Sequence, residues 1–365
     1  MRVLHVIARM NLGGTATYLA NLINGLEKLG IENLLVMGNV PKGEAEDSVV
    51  STLKYQRVES LSRELSFRDD RKAQREIEAA IETYAPDVIH THTFKAGFLV
   101  RMKKRSTPVV HSFHGHHLYD PEFGFVKRNV LNFIERRLAN RAIYLVTIGR
   151  RVRDELLGVG IGKASQYLSI APGISQLELV SDAQTRKKFG FGSDEVLVVW
   201  LGRFTEVKRP DRVIEIAHFL PEARFVMAGG GEMLDELKKS APSNVTFVGF
   251  QDKNEMWSIA DVALCTSDSE GMPLALIEAQ MAGVPVVSTD VGSVSEIVMD
   301  GVTGRLGSTS ADDLAAKLRE VIAEIGKSDA MSHAAKKRAS EEFSSEVMAQ
   351  AHAGLYRKVI NQGIR

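Results

Sequence analysis

Apolar strand patterns alternate with helical patterns along this chain, and the alternation starts twice. It begins at residues 2–8 and begins again at residues 196–201, with a strand of similar apolar character. Strands separated by helices favour parallel pairing, because each crossover brings the chain back to the same end of the sheet. The 365 residues are too many for one ordinary core and fit two domains of typical size. We therefore predict an α/β protein with two doubly wound, Rossmann-like domains.

The pattern also predicts individual elements. In the first half we expect a helix over 15–29, helices over 71–84 and 126–140, and strands at 33–37, 88–92, 109–113 and 143–146. Residues 38–66 are polar and irregular, which indicates a surface loop with one short strand near Arg57. In the second half we expect a helix over 182–189, a helix from Asp211, strands at 224–228 and 261–265, and only helices from Ala311 onward. Residues 173–191 are the predicted hinge.

Charge and cysteine content exclude several classes of protein. The 46 basic and 46 acidic residues cancel, and the pI of about 7.2 argues against a dedicated nucleic-acid binder. Cys265, the only cysteine, permits no internal disulfide, and its apolar surroundings indicate a small core residue. No apolar run approaches the roughly 20 residues of a membrane span, and the first strand is too short for a signal peptide. We expect a cytoplasmic protein.

Two carboxylates flank the point where a loop becomes a helix. Pro273 suits the first turn of a helix, since the N–H that proline lacks would be unpaired there. The backbone N–H groups of residues 272–275 and the positive helix end can hold a phosphate. Glu270, before the helix, and Glu278, within it, would repel phosphate but accept hydrogen bonds from vicinal hydroxyls. The expected ligand carries hydroxyls on both sides of a phosphate.

Two cations follow the first strand of the second domain. Arg203 and Lys208 are expected at the carboxyl end of the sheet, where ligands of doubly wound folds bind. A guanidinium and an ammonium can stabilise the charge of a departing diphosphate without a metal. As an isolated pair they would be ordinary solvated surface cations, but together with Glu270 and Glu278 they indicate a functional site.

These segments resemble the nucleotide-sugar site of family 4 glycosyltransferases, retaining enzymes of the GT-B fold, and the resemblance extends through nearly the whole chain. It implies two domains around a shared cleft, an acceptor-side domain at 1–173, a donor domain at 174–344, and a last helix at 345–365 that packs back on the first domain. It also implies a nucleotide diphosphate sugar as donor, expected to be UDP-linked, a glycan or lipid-linked acceptor hydroxyl, and no required cofactor or metal. The retaining outcome, by front-side attack, comes from the resemblance alone.

The resemblance also assigns residues. Arg203 and Lys208 match the pair on the donor diphosphate, Glu270 and Glu278 are expected on the hydroxyls of the sugar and the ribose, and His114 matches a histidine that lines the sugar pocket. Gly13 and Gly14, after the first strand, match family glycines that border the donor sugar and diphosphate, and the glycines after the strand at 224–228 allow another close backbone approach. The catalytic set is therefore Arg203, Lys208, Glu270 and His114, and the binding set is Gly13, Gly14, Gly230, Gly231, Gly271, Met272, Pro273, Leu274 and Glu278.

A histidine cluster raises the question of a metal site. Six of the ten histidines fall between His90 and His117, but no cysteine joins them, and Asp120 and Glu122 are the only nearby acids. We expect His90 and His92 to point to opposite faces of their strand, which would separate them. The sequence Asp268-Ser269-Glu270 resembles a metal-binding acid pair but lacks its second Asp. We predict a polar rim of packing or acceptor-side residues and no metal.

Basic residues surround apolar ones on the helices of the first domain. Such a surface can rest on anionic lipid, which would suit a lipid-linked acceptor. The alternative is an ordinary helix that packs on its sheet with a charged outer face. The cations are Arg101, Lys103, Lys104, Arg105, Lys127, Arg128, Arg136, Arg137 and Arg141, and the apolar residues are Phe125, Val126, Val130, Leu131, Phe133 and Ile134.

Two other functions bind the same ligand. A sugar-nucleotide epimerase of similar fold would need acid and base groups at the sugar, and the histidine cluster could supply them. A non-catalytic sugar-nucleotide binding protein would not need both cations and both glutamates together. The sequence does not name the base, the sugar or the acceptor.

Overall fold

The structure, a computed structural model, describes residues 1–41, 43–62, 66–115 and 124–363. The chain divides into two compact units. Unit 1 contains Met1–Ser175 together with Ser345–Arg365, and unit 2 contains Gln176–Ser344. The predicted members His116, His117, Asp120 and Glu122 of the histidine-rich segment lie outside the described residues.

Unit 1 is built on a seven-stranded sheet in which every paired strand is parallel. Spatially the strands run in the order β3-β2-β1-β4-β5-β6-β7. The order therefore reverses between β1 and β4, which is the topological switch point of a doubly wound sheet. The strands are β1 (Arg2–Ile7), β2 (Glu32–Met37), β3 (Tyr55–Arg57), β4 (Val88–His92), β5 (Val109–Phe113), β6 (Tyr144–Thr147) and β7 (Tyr167–Ser169).

Helices cover this sheet and connect its strands. They are α1 (Gly14–Lys28), α2 (Phe67–Tyr84), α3 (Thr93–Arg101), α4 (Phe125–Ala139), α5 (Arg150–Gly158) and, from the end of the chain, α14 (Ser345–Gly363). Helix α14 packs against α1 closely enough that a Cβ on Gly25 would lie 2.7 Å from the Cβ of Ala349. The last helix thus belongs to unit 1.

Unit 2 repeats the plan with a six-stranded parallel sheet in the order β10-β9-β8-β11-β12-β13. Its switch point lies between β8 and β11. The strands are β8 (Leu197–Leu201), β9 (Arg224–Ala228), β10 (Val245–Gly249), β11 (Val262–Cys265), β12 (Val286–Thr289) and β13 (Gly304–Gly307). The helices are α6 (Asp182–Phe189), α7 (Pro210–Phe219), α8 (Leu234–Ser240), α9 (Lys253–Ile259), α10 (Leu274–Ala282), α11 (Val294–Ile297), α12 (Ala311–Ile325) and α13 (Ala330–Glu342).

Local sequence signals explain where these helices begin and end. Ser181 caps the start of α6 by accepting a hydrogen bond from the Gln184 N–H, and Gly190 ends the helix in the left-handed conformation at φ 77°. The polar helix predicted at 182–189 is therefore present, but it packs on α9 within unit 2. Residues 176–191 of the predicted hinge consequently belong to that unit.

Several other expectations are confirmed. The short strand near Arg57 is β3, and Cys265 is a buried residue at the end of β11. Over the described residues 311–363 the only regular elements are the helices α12, α13 and α14. Among the described residues, no helix has the length and apolar character needed to cross a membrane.

Candidate functional site

The two central strands of unit 2 deliver the predicted charged residues to one end of the sheet. Strand β8 leads directly to Arg203 and Lys208, and strand β11 leads to Glu270. These strands pair in parallel, with Val262 opposite Val198, and they flank the switch point. Loops after neighbouring parallel strands diverge there and leave a crevice, which explains why residues 62 positions apart in sequence meet.

Lys208 and Glu270 form a short ion pair in this crevice. The Nζ of Lys208 lies 2.6 Å from Oε1 of Glu270, and the side chains are 25% and 7% exposed. The same oxygen accepts a hydrogen bond from Oγ of Ser267 at 2.6 Å. Burial disfavours the charged ammonium, but the Glu270 carboxylate outweighs it, so the pKa of Lys208 is raised and the lysine stays protonated. Among the described residues Oε2 of Glu270 has no recorded partner, so it can accept a ligand hydroxyl.

The backbone that carries Lys208 is held to the end of β11. Thr266 donates through Oγ1 to the carbonyl oxygens of Lys208 and Arg209, at 3.0 and 2.9 Å. Asp268 accepts from Arg212 at 2.7 Å and from Arg209 at 3.1 Å. Burial alone would raise the pKa of Asp268, but the hydrogen bond from Arg212 and that from Arg209 lower it. Asp268 is therefore an ionised structural partner of two arginines, which argues against its reading as a metal ligand.

Arg203 is the exposed cation of the site. Within the described part of the chain its side chain makes no recorded hydrogen bond or ion pair, and its charge opposes protonation of Lys208, which places the two cations near each other. The adjoining backbone is fixed, because Phe204 donates its N–H to the Gly230 carbonyl at 2.9 Å. Arg203 is therefore an exposed positive charge next to a backbone segment that a hydrogen bond holds in place.

The glycines after β9 allow this backbone contact. A Cβ on Gly231, whose φ is 152°, would lie 2.6 Å from the carbonyl oxygen of Phe204. A Cβ on Gly229 would come within 1.9 Å of the Gly202 carbonyl oxygen, and one on Gly230 within 2.7 Å of the Phe250 ring. The backbone contacts at Gly229 and Gly231 require glycine whatever the ligand, whereas the exposed Phe250 ring can move aside for a Cβ on Gly230.

Helix α10 begins beside Glu270, one residue later than predicted. Pro273 is the residue before the helix, and no side chain caps that end. The Leu276 N–H donates to the Pro273 carbonyl at 3.2 Å, and the N–H groups of Leu274 and Ala275 point out of the helix start without an intrahelical acceptor. Gly292 packs on this loop so tightly, at φ 53°, that a Cβ would reach 1.6 Å from the Glu270 carbonyl oxygen. The neighbouring Ser293 N–H donates to the Gly271 carbonyl at 2.9 Å. The loop after β12 therefore sets the position of Glu270.

Glu278 forms a separate ion pair with a lysine. It lies within α10, where it is 5% exposed, and its Oε1 lies 2.7 Å from Nζ of Lys253 at the start of α9. The two predicted carboxylates thus occupy separate ion pairs and not one acidic pocket. Lys253 and Gly292 were not identified from the sequence, because each lies on a different strand-to-helix connection from the segment it supports. Only the strand order could have revealed them.

In unit 1, Gly13 and Gly14 follow β1 at the switch point. Gly13 precedes α1 with a φ of 145°, and a Cβ there would meet nothing within 4 Å. Conformation and not crowding therefore favours glycine at this position. His114 follows β5, half-buried, and the ring of Tyr18 packs edge-on against it with centroids 4.5 Å apart.

The expectation that His90 and His92 point to opposite faces is wrong. Residues two apart on a strand share a face, and the two ring centroids are 4.1 Å apart. His5 joins them, and ring nitrogens of the three lie within 4.8 Å of one another. Each ring is already hydrogen-bonded within the protein: His5 to His92 and Asn33, and His90 to Tyr356 and Ser112, both at 2.7 Å. These bonds account for the cluster without a metal.

Burial keeps these histidines neutral. Loss of hydration lowers the pKa of His5 to about 3 and that of His352 to about 4. The pKa of His114 falls to about 3 through burial and, second, through the charge of His352. The pKa values of His90, His92 and His111 lie well below the ordinary range for the same first reason. At neutral pH each ring therefore carries one proton.

Comparison with known proteins identifies both halves of the chain. Residues 13–173 match the family model described as glycosyl transferase 4-like domain, and residues 181–338 match that of glycosyl transferases group 1. The EpsF protein of Bacillus subtilis (strain 168) is 28% identical over 370 residues, which cover 96% of this chain and 92% of EpsF.

Solved structures agree over the whole length. Sucrose-phosphate synthase from Thermosynechococcus elongatus superposes with a TM-score of 0.86 at 20% identity, covering 99% of this chain and all of the other. HepE from Anabaena, in complex with UDP and glucose, gives a TM-score of 0.82 at 19% identity, with coverage of 98% and 100%. The two halves of the chain therefore match two different glycosyltransferase family models, and the chain has the GT-B fold.

Proposed function

We propose that this protein is a retaining hexosyltransferase that moves a sugar from a UDP-linked donor to an acceptor hydroxyl. The observation that carries the proposal is the Lys208–Glu270 ion pair beside the exposed Arg203, at the switch point of unit 2 and at the start of α10. It combines cations for a diphosphate with a carboxylate oxygen free to bind a hydroxyl. The similarity to HepE, which was solved with UDP and glucose, supports the choice of donor.

The proposed chemistry follows from these residues. As the bond between the sugar C1 and the phosphate oxygen breaks, negative charge grows on the diphosphate, and Arg203 and Lys208 stabilise it. A bond forms between C1 and the acceptor oxygen on the same face, and the acceptor proton passes to the departing phosphate oxygen. Glu270 and Glu278 are both held by lysines, so neither is offered as a nucleophile. This arrangement supports front-side attack, the retaining outcome that the resemblance implies.

The remaining predicted residues take binding roles in the proposal. Glu278, with one oxygen on Lys253, receives the ribose hydroxyls through the other. Residues Gly271, Met272, Pro273 and Leu274 bring the helix start to the phosphates, and Gly230 and Gly231 shape the loop beneath Arg203. In the proposal, Gly13, Gly14 and His114 of unit 1 bind the donor sugar.

The histidine cluster argues against the epimerase alternative. Epimerisation would need a group that donates a proton near neutral pH. The lowered pKa of each buried histidine makes its imidazolium too scarce for that task. Incubation with UDP-glucose alone separates the two functions, because an epimerised nucleotide sugar appears only with an epimerase.

Two matched lysine variants test the proposal. Nucleotide sugars that bind are first identified by their stabilisation of the protein against heat. Lys208→Ala should then lower turnover about 100-fold or more, the typical loss for one group that stabilises a developing anion. Lys253→Ala, which breaks the other lysine–glutamate pair, should mainly weaken donor binding. Equal turnover in Lys208→Ala and the parent would remove this lysine from the catalytic set, and equal losses in both variants would contradict the division of roles.

We further propose that unit 1 contacts the cytoplasmic face of the membrane, where a lipid-linked acceptor would lie. Helix α4 supports this, because Val126, Val130 and Phe133 are 74%, 52% and 53% exposed on a helix whose exposed face also carries Arg136 and Arg137. Exposed apolar side chains among cations suit an anionic lipid surface.

Sedimentation with vesicles rich in phosphatidylglycerol tests this contact. Phe133 and Phe67 offer a matched pair, since each is exposed and each has an arginine over its ring. Cζ of Arg137 lies 4.8 Å from the ring centroid of Phe133, and Cζ of Arg71 lies 4.6 Å from that of Phe67. Phe133→Ser should reduce binding to anionic vesicles, whereas Phe67→Ser on α2 should not. Equal binding of the two variants would remove α4 from the proposed surface.

A further inference from the structure

Four polar side chains of unit 1 form one continuous row of hydrogen bonds, here called the histidine relay: Asn33, His5, His92 and His114. Oδ1 of Asn33 lies 3.1 Å from Nε2 of His5, and Nδ1 of His5 lies 3.1 Å from Nε2 of His92. Nδ1 of His92 in turn lies 3.0 Å from Nε2 of His114. The first three members are 3% exposed or less, so water does not interrupt the row.

Asn33 determines which ring nitrogen carries the proton in each histidine of the relay. Its Nδ2 donates to the Ile31 carbonyl at 2.8 Å, which only an amide N–H can do, so Oδ1 is the atom that faces His5. An oxygen without hydrogen can only accept, and Nε2 of His5 must therefore carry the ring proton. Since a neutral imidazole has one N–H, Nδ1 of His5 is an acceptor.

The same reasoning passes along the row. Nδ1 of His5 needs a donor, so Nε2 of His92 carries the proton of that ring and Nδ1 of His92 accepts. Nε2 of His114 must then donate to His92. Nδ1 of His114 is left without a proton, and among the described residues it has no recorded hydrogen-bond partner. Hydroxyl rotors, which could donate or accept, do not occur within the row.

We propose that Asn33, acting through His5 and His92, fixes the tautomer of His114 so that its Nδ1 accepts a hydrogen bond from a hydroxyl of the donor sugar. This inference deepens the proposed function and rests on its placement of His114 at the sugar. Asn33, His5 and His92 are positioning residues, because none of them is assigned a contact with the substrate.

The fixed tautomer of His114 determines which chemical groups can bind to its Nδ1. A ring nitrogen without a proton accepts a hydrogen bond from a neutral hydroxyl and repels a carboxylate or phosphate oxygen, whereas an N–H at the same place would attract either anion. The relay therefore makes His114 selective for a hydroxyl at the position that it contacts. Without Asn33 the row would have no fixed end, and the three rings could reverse together.

Nitrogen NMR of the full-length protein with ¹⁵N-labelled histidine tests the relay directly. Long-range proton–nitrogen correlations distinguish the two neutral tautomers, and replacing each histidine in turn assigns its signals. We expect His5, His92 and His114 all to be protonated at Nε2 and bare at Nδ1. Protonation of any of the three at Nδ1 in the parent protein would overturn the inference, with no variant required.

The isosteric variant Asn33→Leu tests the role of Asn33. It leaves an Nε2–H of His5 without an acceptor, so we expect the signals of all three rings to move toward the Nδ1–H tautomer by the same fraction. Movement of His5 without His114, or no movement at all, would refute the relay. Thr91→Val is the matched control, because it removes the buried hydroxyl 2.8 Å from Nδ1 of His111, outside the row, and should leave the three tautomers unchanged.

Kinetics then connect the tautomer to the reaction. Asn33→Leu should lower kcat/KM for the donor about fivefold, the worth of one neutral hydrogen bond, while Thr91→Val should not. Absence of sugar transfer by the parent would defeat the proposed function and leave the tautomer result intact. Sugar transfer by the parent with kcat/KM unaltered in an Asn33→Leu protein of reversed tautomer would defeat the inference alone.

Discussion

Acidification should unfold unit 1 selectively, because that unit holds six neutral histidines, five of them fully buried and one half-buried. They are His5, His90, His92, His111, His114 and His352, and burial is the first cause of the lowered pKa in each. In the unfolded chain each would titrate near 6.5. Between the two pKa values the unfolded state binds more protons, so the free energy of unfolding falls as the pH falls below 6.5.

The size of the effect follows from the number of groups. One pH unit below 6.5, each histidine that stays neutral when folded contributes a loss of about 1.4 kcal/mol relative to high pH. Six such groups give about 8 kcal/mol at pH 5.5, comparable with the roughly 5–15 kcal/mol that stabilises a whole domain. Unit 2 should be spared, because both of its histidines, His218 and His333, are exposed.

Urea unfolding at pH 7.5 and 5.5, followed by two probes, separates the units. Both tryptophans, Trp200 and Trp257, belong to unit 2, so their fluorescence reports that unit alone, whereas far-ultraviolet circular dichroism reports both. We expect the fluorescence midpoint to change little and the transition seen only by dichroism to move to much lower urea. Equal shifts in both probes, or no shift in the second transition, would refute the reasoning. His352→Gln should reduce the loss by about 1.4 kcal/mol, since one proton fewer is bound on unfolding.

Three further predictions concern the site in unit 2. Glu278→Gln should weaken binding of UDP about tenfold in calorimetry, because an amide oxygen is a poorer acceptor and its N–H₂ end repels Lys253; affinity equal to that of the parent would contradict the ribose assignment. Gly292→Ala should lower the free energy of unfolding of unit 2 by about 2–4 kcal/mol in the fluorescence-detected urea transition, because its Cβ clashes with Glu270 and its φ is positive. Gly190→Ala has a positive φ but no clash, so it should lower that free energy by about 1 kcal/mol. Equal losses in the two variants would show that the loop carrying Glu270 moves to accommodate the Cβ. Added chelator should leave transfer activity intact, and a loss restored by a divalent ion would require a metal site.

Much of the fold could be predicted from the sequence, because its signals are local. The polar helix predicted at 182–189 has the bounds of α6, which a serine cap and a left-handed glycine set locally, and the strand predicted at 224–228 is β9. The domain plan followed from the repeated alternation of strands and helices. Each of these inferences uses residues that are neighbours in the chain.

The contacts within the site could be predicted only in part. The sequence indicated that Lys208 and Glu270 share a sheet end, but not that they pair, because their distance depends on which strands are adjacent. Lys253 was missed for the same reason. The error over His90 and His92 was one of geometry, since a strand repeats every two residues and brings the rings together.

The return of α14 to unit 1 has a consequence for synthesis of the protein. Tyr356 and His352 of this helix hydrogen-bond to His90 and Tyr18, so residues from both ends of the sequence complete one core. A ribosome delivers all of unit 2 before α14 emerges, which at about 5–20 residues per second takes on the order of ten seconds or more. Unit 2 can therefore fold while His90 and Tyr18 of the earlier segment still lack their hydrogen-bond partners on α14. The part of the chain that is translated first therefore completes its folding last. We expect it to bind chaperones during that interval.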